Sequence, residues 1–255
     1  MLQPLPLLSR LNLERAKSSH DQIAALLGME LLKGLYPPGT NMPPEPEIIA
    51  RFHVSRTVIR EVMKTLAAKG FVVAKTRVGT RVRERMYWNY FDADVLAWRV
   101  RLGFDDEFMH GLVEVRRALE PAAAALAAQR RCAQDVVRLR ECLKQMSRAG
   151  HTRQSFAEAD LDFHLVVGNA TGNPMMRSAA SVIDTALVAS FMYSSPVDDP
   201  LDYQATVAAH TDIVDAIEAG DESAAAEAMR RVIDIGVERI DLTRRMQAKS
   251  AERKR

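Results

Sequence analysis

The stretch that most constrains this chain is Val54–Lys69, VSRTVIREVMKTLAAK. Ser55 suits an N-cap, its hydroxyl accepting from an amide of the first turn. Val58, Val62 and Leu66, with Met63 and Ala67, recur at helical spacing and predict one apolar stripe, while Arg56, Thr57, Arg60 and Lys64 take the opposite face. Arginine can fork onto guanine O6 and N7, and Ser or Thr can meet phosphates or base edges, so that face suits a DNA major groove. Taken alone, the helix reads equally well as a surface helix with scattered charge. Its flanks decide.

Ahead of it, Ser18 or Ser19 opens a helix carrying Ile23, Leu26, Leu27 and Leu31, which Tyr36-Pro37-Pro38-Gly39 stops. Pro44 to Phe52 predicts a short second helix, with His53-Val54 as the turn. Beyond Gly70, Phe71–Lys75 and Thr80–Arg83 are β-like runs joined through Thr76, Arg77, Val78 and Gly79, a hairpin with an arginine and a glycine near its tip. Helix, short helix, recognition-type helix and basic hairpin, in that order, predict a winged helix-turn-helix. Arg77 on the wing would meet a minor groove or a phosphate, and Gly79 lets the backbone approach closely. Charge supports this: residues 1–85 hold 14 Lys/Arg against 7 Asp/Glu, and the remainder holds 21 against 26. A basic first third on an acidic remainder fits a nucleic-acid module joined to something else.

From Asp94 onward the pattern is helical, with helices expected near 93–102, 105–130, 133–149, 153–171, 174–192, 202–219 and 221–248. Glycines and prolines separate them, and the short loops predict an antiparallel all-α bundle. The expected fold is therefore mainly α: residues 1–85 a winged helix-turn-helix, residues 86–255 a helical bundle. Trp88, Tyr90 and Phe91 are expected to pack where the two parts meet. Cys132 and Cys142 read as reduced core thiols, which argues against a disulfide scaffold or zinc finger. No stretch reads as a membrane span or signal peptide, so a cytoplasmic location is expected.

One pair in the bundle carries chemistry. Asp160 and His164 are four residues apart and share a helix face, which suits two ligands of one metal ion, although the pair by itself reads first as a helical ion pair.

The run GLYPPGTNMPPEPEIIARFHVSRTVIREVMKTLAAKGFVVAKTRVGTRV resembles the DNA-binding domain of the GntR family of bacterial transcription regulators. VEVRRALEPAAAALAAQR, EADLDFHLVVGNATGNP and AAHTDIVDAIEAGDESAAAEAM resemble the FCD-type sensing domain of its FadR subgroup, and WNYFDADVLAW is similar to the entry of that domain in sugar-acid regulators. The resemblance implies that Ser55, Arg56, Thr57, Arg60 and Gly79 meet operator DNA. It also implies that His210 faces the same cavity as Asp160 and His164, giving three ligands for a divalent transition metal ion (Zn, Ni, Mn or Fe). Arg116 and Asn169 are implied to face the effector; Ser190 and Tyr193 are further candidates for its lining, which the resemblance does not itself imply. Arg116 reads equally as an i,i+4 partner of Glu120, and Asn169 also as a helix C-terminal cap beside Gly172.

Two positions depart from the family pattern. Pro46 stands between Glu45 and Glu47 where an arginine is usual, and Val232 where a third histidine is usual. The implied function is that of a ligand-responsive regulator, a repressor, binding double-stranded operator DNA as a homodimer. Its implied effector is a small carboxylate, galactonate or a related aldonate, in a metal-containing cavity. Two other readings stand beside it: a metal-dependent enzyme using Asp160, His164 and His210, and an architectural DNA binder without an effector. No general base, nucleophile or glycine-rich phosphate loop stands out, which weighs against the enzyme.

Overall fold

The computed structural model describes residues 18–75, 78–103, 105–179 and 195–252, with 182, 183, 185, 187 and 191 between the last two segments. These residues form a mostly helical protein with one two-stranded sheet, in two compact units that divide at Gly103.

In the first unit, Ser18 caps α1 (Ser19–Leu32) by accepting from the Asp21 amide. Pro44 precedes α2 (Glu45–Phe52), and His53 then turns the chain in the left-handed conformation, at φ 52°. Ser55 caps α3 (Arg56–Ala68), accepting from Val58 N at 3.4 Å. Strands β1 (Val72–Lys75) and β2 (Gly79–Val82) pair antiparallel, Val72 opposite Val82 and Lys75 opposite Gly79. This is the expected winged helix-turn-helix. The stripe of α3 is rotated from the expected one: Ile59, Val62 and Leu66 are buried, Val58 and Met63 only partly, and Ala67 is exposed. Where apolar residues are adjacent, as in Val58-Ile59, packing against α1 selects which one goes inside.

The unit does not end at residue 85. Trp88 and Trp98, the latter on α4 (Ala93–Leu102), both stack on Phe71, at ring-centroid distances of 4.7 and 6.1 Å. A side chain at Gly28 of α1 would come within 2.2 Å of the Trp98 ring, so only glycine lets α1 and α4 approach this closely. Lys69 Nζ, at the end of α3, reaches Asp92 and Asp94 at 2.6 and 2.9 Å, and Asp92 also caps α4. The expectation that Trp88, Tyr90 and Phe91 pack where two domains meet is thus corrected. Trp88 and Tyr90 join the first unit's own core, and Phe91 is exposed.

The second unit is helical: α5 (Asp106–Arg130), α6 (Ala133–Met146), α7 (Arg153–Ala170), α8 (Pro174–Ser178), α9 (Pro200–Ala219) and α10 (Glu222–Glu252). Asp105, Thr152 and Asp199 cap α5, α7 and α9. α5 packs along α10 and also meets α7 and α9, so the four helices enclose a common centre. Neither cysteine is a core thiol. Both are free, Cys132 exposed at the start of α6 and Cys142 half-buried. Among the described residues, no helix is long and apolar enough to cross a membrane.

Candidate nucleic-acid face and candidate metal centre

The solvent face of α3 carries Arg56, Thr57, Arg60 and Lys64, all exposed. The Arg56 and Arg60 side chains are 65% and 64% accessible, and both guanidinium groups face Glu45 of α2, Nε to Oε1 at 3.4 and 3.6 Å. The carboxylate holds two flexible cations in register on one face without burying either. Pro46, where the family pattern has an arginine, follows Glu45 in the first turn of α2 and contributes no charge beside them. Ser55 is committed in part to capping, which leaves its hydroxyl one lone pair for another donor. Gly79 opens β2 at φ 102°, a conformation side chains avoid, with open space around it. Arg77 lies outside the described residues.

The second constellation is buried. Asp160 and His164 on α7 and His210 on α9 are 3%, 4% and 0% accessible, and their ligand atoms all lie within 4.8 Å of one another. Asp160 Oδ1 is 3.1 Å from His210 Nε2, and Asp160 Oδ2 is 3.8 Å from His164 Nε2. Each ring is fixed from its far side. His210 Nδ1 donates to the Thr206 carbonyl at 2.7 Å, and His164 Nδ1 lies 2.8 Å from Glu120 Oε2. With Nδ1–H used in this way, both Nε2 atoms carry lone pairs. Both are fully buried and make no hydrogen bond among the described residues, the His210–Asp160 approach being an ion-pair distance only. Two buried lone pairs facing a carboxylate are costly unless something positive lies between them.

A metal ion fits that requirement. Ligands ~2.1 Å from one ion lie roughly 3.0–3.4 Å apart in octahedral or tetrahedral geometry; the His210–Asp160 separation of 3.1 Å matches this, and His164, at 3.8 Å, would have to move inward to join. Imidazole with carboxylate suits a divalent transition ion such as Zn, Ni, Mn or Fe. Carboxylate and carbonyl partners on the far ring nitrogens are the usual accompaniment of such ligands. Among the described residues, no fourth His, Cys, Asp or Glu joins the group, and Val232 is a buried apolar residue. Three protein ligands leave coordination positions for an incoming molecule.

Arg116 and Glu120 on α5 form the buried i,i+4 pair, Arg116 Nε to Glu120 Oε1 at 2.5 Å and Nη2 to Oε2 at 3.3 Å. Burial pushes the Glu120 carboxyl up, but the Arg116 guanidinium and His164 outweigh it and hold the group at about 2. Burial likewise pushes Arg116 down, and Glu120 and Asp160 more than restore it. Burial opposes ionisation of Asp160 too, yet its carboxyl stays below the usual range, with the Arg116 guanidinium among the groups that hold it there. Glu120, read from sequence only as a partner for Arg116, therefore also orients His164. Asn169 does not join the cluster. It is exposed near the end of α7, where its carbonyl accepts from Gly172 N. Five residues after His164, at 100° each, turn it about 140° away. Ser190 and Tyr193 lie outside the described residues.

One neighbour was not anticipated. Arg239 on α10 is half-buried, with its Nε fully enclosed and lacking a hydrogen-bond partner among the described residues. Its Nη1 lies 3.4 Å from Thr206 Oγ1, and Thr206 is the residue whose carbonyl orients His210. Burial pushes this guanidinium down, and Asp160, Asp202 and Asp198 offset that only in part. Its sequence signal is weak: Arg239 stands seven residues, two helical turns, beyond Val232.

Known proteins similar to this chain identify its family. Residues 19–82 match the family model for bacterial regulatory proteins of the gntR family, and residues 111–234 match the FCD domain. The galactonate operon transcriptional repressor of Escherichia coli (strain K12) is 32% identical over 220 residues, covering 86% of this chain and 96% of that protein. The probable D-xylose utilization operon transcriptional repressor of Paenarthrobacter nicotinovorans is 31% identical over 210 residues, covering 82% of each chain. The solved structure of Lar, which controls expression of the Listeria monocytogenes agr system, superimposes with a TM-score of 0.60 at 17% identity. It covers 90% of this chain and all of that one, a likeness of fold. These relatives are regulators, not enzymes, which removes the enzymatic reading of the Asp–His–His cluster. The chain belongs to the GntR family of bacterial transcription regulators, in the group that carries an FCD domain.

Proposed function

We propose that this regulator is a metal-dependent, sugar-acid-responsive repressor. In this reading it binds operator DNA as a homodimer and takes galactonate or a related aldonate as effector. The observation that carries the reading is the pair of buried Nε2 atoms of His164 and His210 facing Asp160, unpartnered among the described residues. A divalent transition metal held there would be a Lewis acid with free positions for the carboxylate and hydroxyl oxygens of the effector. The names of the Escherichia coli and Paenarthrobacter relatives, both repressors of sugar-related operons, support the substrate class.

On the DNA side, Arg56, Thr57 and Arg60 read base edges and Ser55 a phosphate, while the wing, with Gly79 and Arg77, follows the neighbouring backbone. A dimer makes the operator a pseudo-palindrome. The effector acts by binding one arrangement of the protein better than another; ~1.4 kcal/mol of differential affinity changes operator binding about tenfold.

The test is fluorescence anisotropy on a duplex selected from a random pool by the protein itself, titrated with D-galactonate and D-gluconate. Operator binding should change with one aldonate and lose that response after the metal is stripped. Binding that no aldonate alters, with the metal in place, would contradict the effector assignment.

A further inference from the structure

We propose that the groove between α3 and the wing is a seat for one sugar–phosphate step of the operator backbone, held at its rim by Lys64. The seat rests on the DNA reading above and adds to that footprint a surface the reading does not use.

Strand alternation and two small side chains create the groove. Val72 and Val82 pair across the hairpin and are buried, so Ala74 and its partner Thr80, two residues on, point to the same side, toward α3. On α3, Met63 and Ala67 stand one turn apart on the side that meets the wing. Ala67 and Ala74 are both exposed, and the space beside them is a groove of about 310 Å³ whose deepest lining is the buried Ile48 and Ile59. A leucine at position 74 would fill it.

The rim is cationic. Arg56, Arg60 and Lys64 recur every four residues as one row along α3, and the last two border the groove. Glu45 borders it too, but its carboxylate faces Arg56 and Arg60. Lys64 is paired with Glu61 at 2.7 Å, with side chains 74% and 53% accessible. An exposed pair of this kind is worth little, so the ammonium is available to a phosphate. An apolar floor under a cationic edge, with the Thr80 hydroxyl on the far side, complements a deoxyribose and its phosphate. It lacks the fixed donor and acceptor pattern that tells one base pair from another. Its position fits as well. With α3 in the major groove and the wing at the adjacent minor groove, the strand that separates the two grooves passes between α3 and the wing. The seat therefore adds affinity and register, not sequence preference.

The experiment measures melting temperature and fluorescence anisotropy, over a range of salt, for wild type, Lys64→Gln, Ala74→Leu and Ala74→Ser. The probes are the duplex selected by the protein itself, a scrambled duplex, and copies of the first with one neutral methylphosphonate linkage at a time. All variants should melt with wild type, since neither position is buried. Lys64→Gln should bind both duplexes about five- to tenfold more weakly near ~0.15 M salt, with a salt slope smaller by about 0.9. Ala74→Leu should weaken both by a similar factor, while Ala74→Ser, which leaves the groove open, should bind as wild type does. One methylphosphonate position should weaken wild type and have no further effect on Lys64→Gln. Binding and salt slope unchanged by Lys64→Gln, or binding unchanged by Ala74→Leu, overturns the seat and leaves the DNA reading standing. A loss confined to the selected duplex, or no methylphosphonate position whose effect depends on Lys64, overturns the backbone assignment. Wild-type protein that binds neither duplex overturns the DNA reading itself, and the seat with it.

Discussion

The two units handle their charged residues in opposite ways. On α3 the cations proposed to meet DNA stand in solvent, steered by one carboxylate. In the bundle, Arg116, Glu120, Asp160 and His164 are all enclosed, and each is oriented by another. A surface built to meet a polyanion keeps its cations hydrated until binding releases counterions. The site proposed to hold a metal and a small anion excludes water first, so these four charges find their partners inside the protein. The same residue types are therefore dispensable for folding in one unit and required for it in the other.

The sharpest way to break this contrast is to remove one acid from each unit. Glu120→Ala leaves Arg116 buried without its partner and His164 without its anchor, and should destabilise the bundle by about 3–5 kcal/mol in urea denaturation. Glu45→Ala, which removes the carboxylate between Arg56 and Arg60, should change stability by no more than ~0.5 kcal/mol. Equal losses would mean that burial is not what separates the two sets.

Packing in the first unit gives the next largest effect. Gly28→Val drives a branched side chain into the Trp98 ring and should cost about 1–3 kcal/mol, read as a lower melting transition with metal content unchanged. Arg60→Ala should leave the melting temperature in place and weaken operator binding by ~1–3 kcal/mol, about tenfold or more by anisotropy.

The smallest effect expected is alkaline. Burial lowers the Lys69 ammonium, but its bonds to Asp92 and Asp94 prevail and hold it above its ordinary 10.5. A base whose folded value is raised contributes stability that is fully present below its unfolded value and is lost as pH rises through the folded one. Melting of the first unit should thus fall more steeply above pH ~10.5 in wild type than in Lys69→Gln. Parallel curves would show that the pair does not tie α3 to α4.

Much of this was legible in the sequence because the chain punctuates itself. Ser18, Ser55, Asp105, Thr152 and Asp199 cap helices, and Gly70, Gly103 and Gly220 end them, so element order and most boundaries follow from local chemistry. What failed was what depends on tertiary burial. The rotation of α3 turned on whether Val58 or Ile59 meets α1, and periodicity cannot choose between neighbours. Trp88 looked like an interface residue because it lies in a linker, but it closes the core beneath Phe71. Asp160 and His164 could be paired from their spacing, whereas His210 came only through family resemblance. Arg239 gave almost no signal, since an arginine on a long charged helix is ordinarily solvated, and only the packing of α10 encloses it.

The most direct test of the metal-centred site is the melting temperature of wild-type protein with D-galactonate, before and after the metal is removed by a chelator. At ~100 times the dissociation constant the ligand should add about 2.7 kcal/mol of stability to the metal-loaded protein. The expected result is a clear upward shift that disappears on chelation and returns when the divalent ion is restored. An undiminished shift in fully stripped protein would contradict a metal ion at Asp160, His164 and His210 as the effector's anchor.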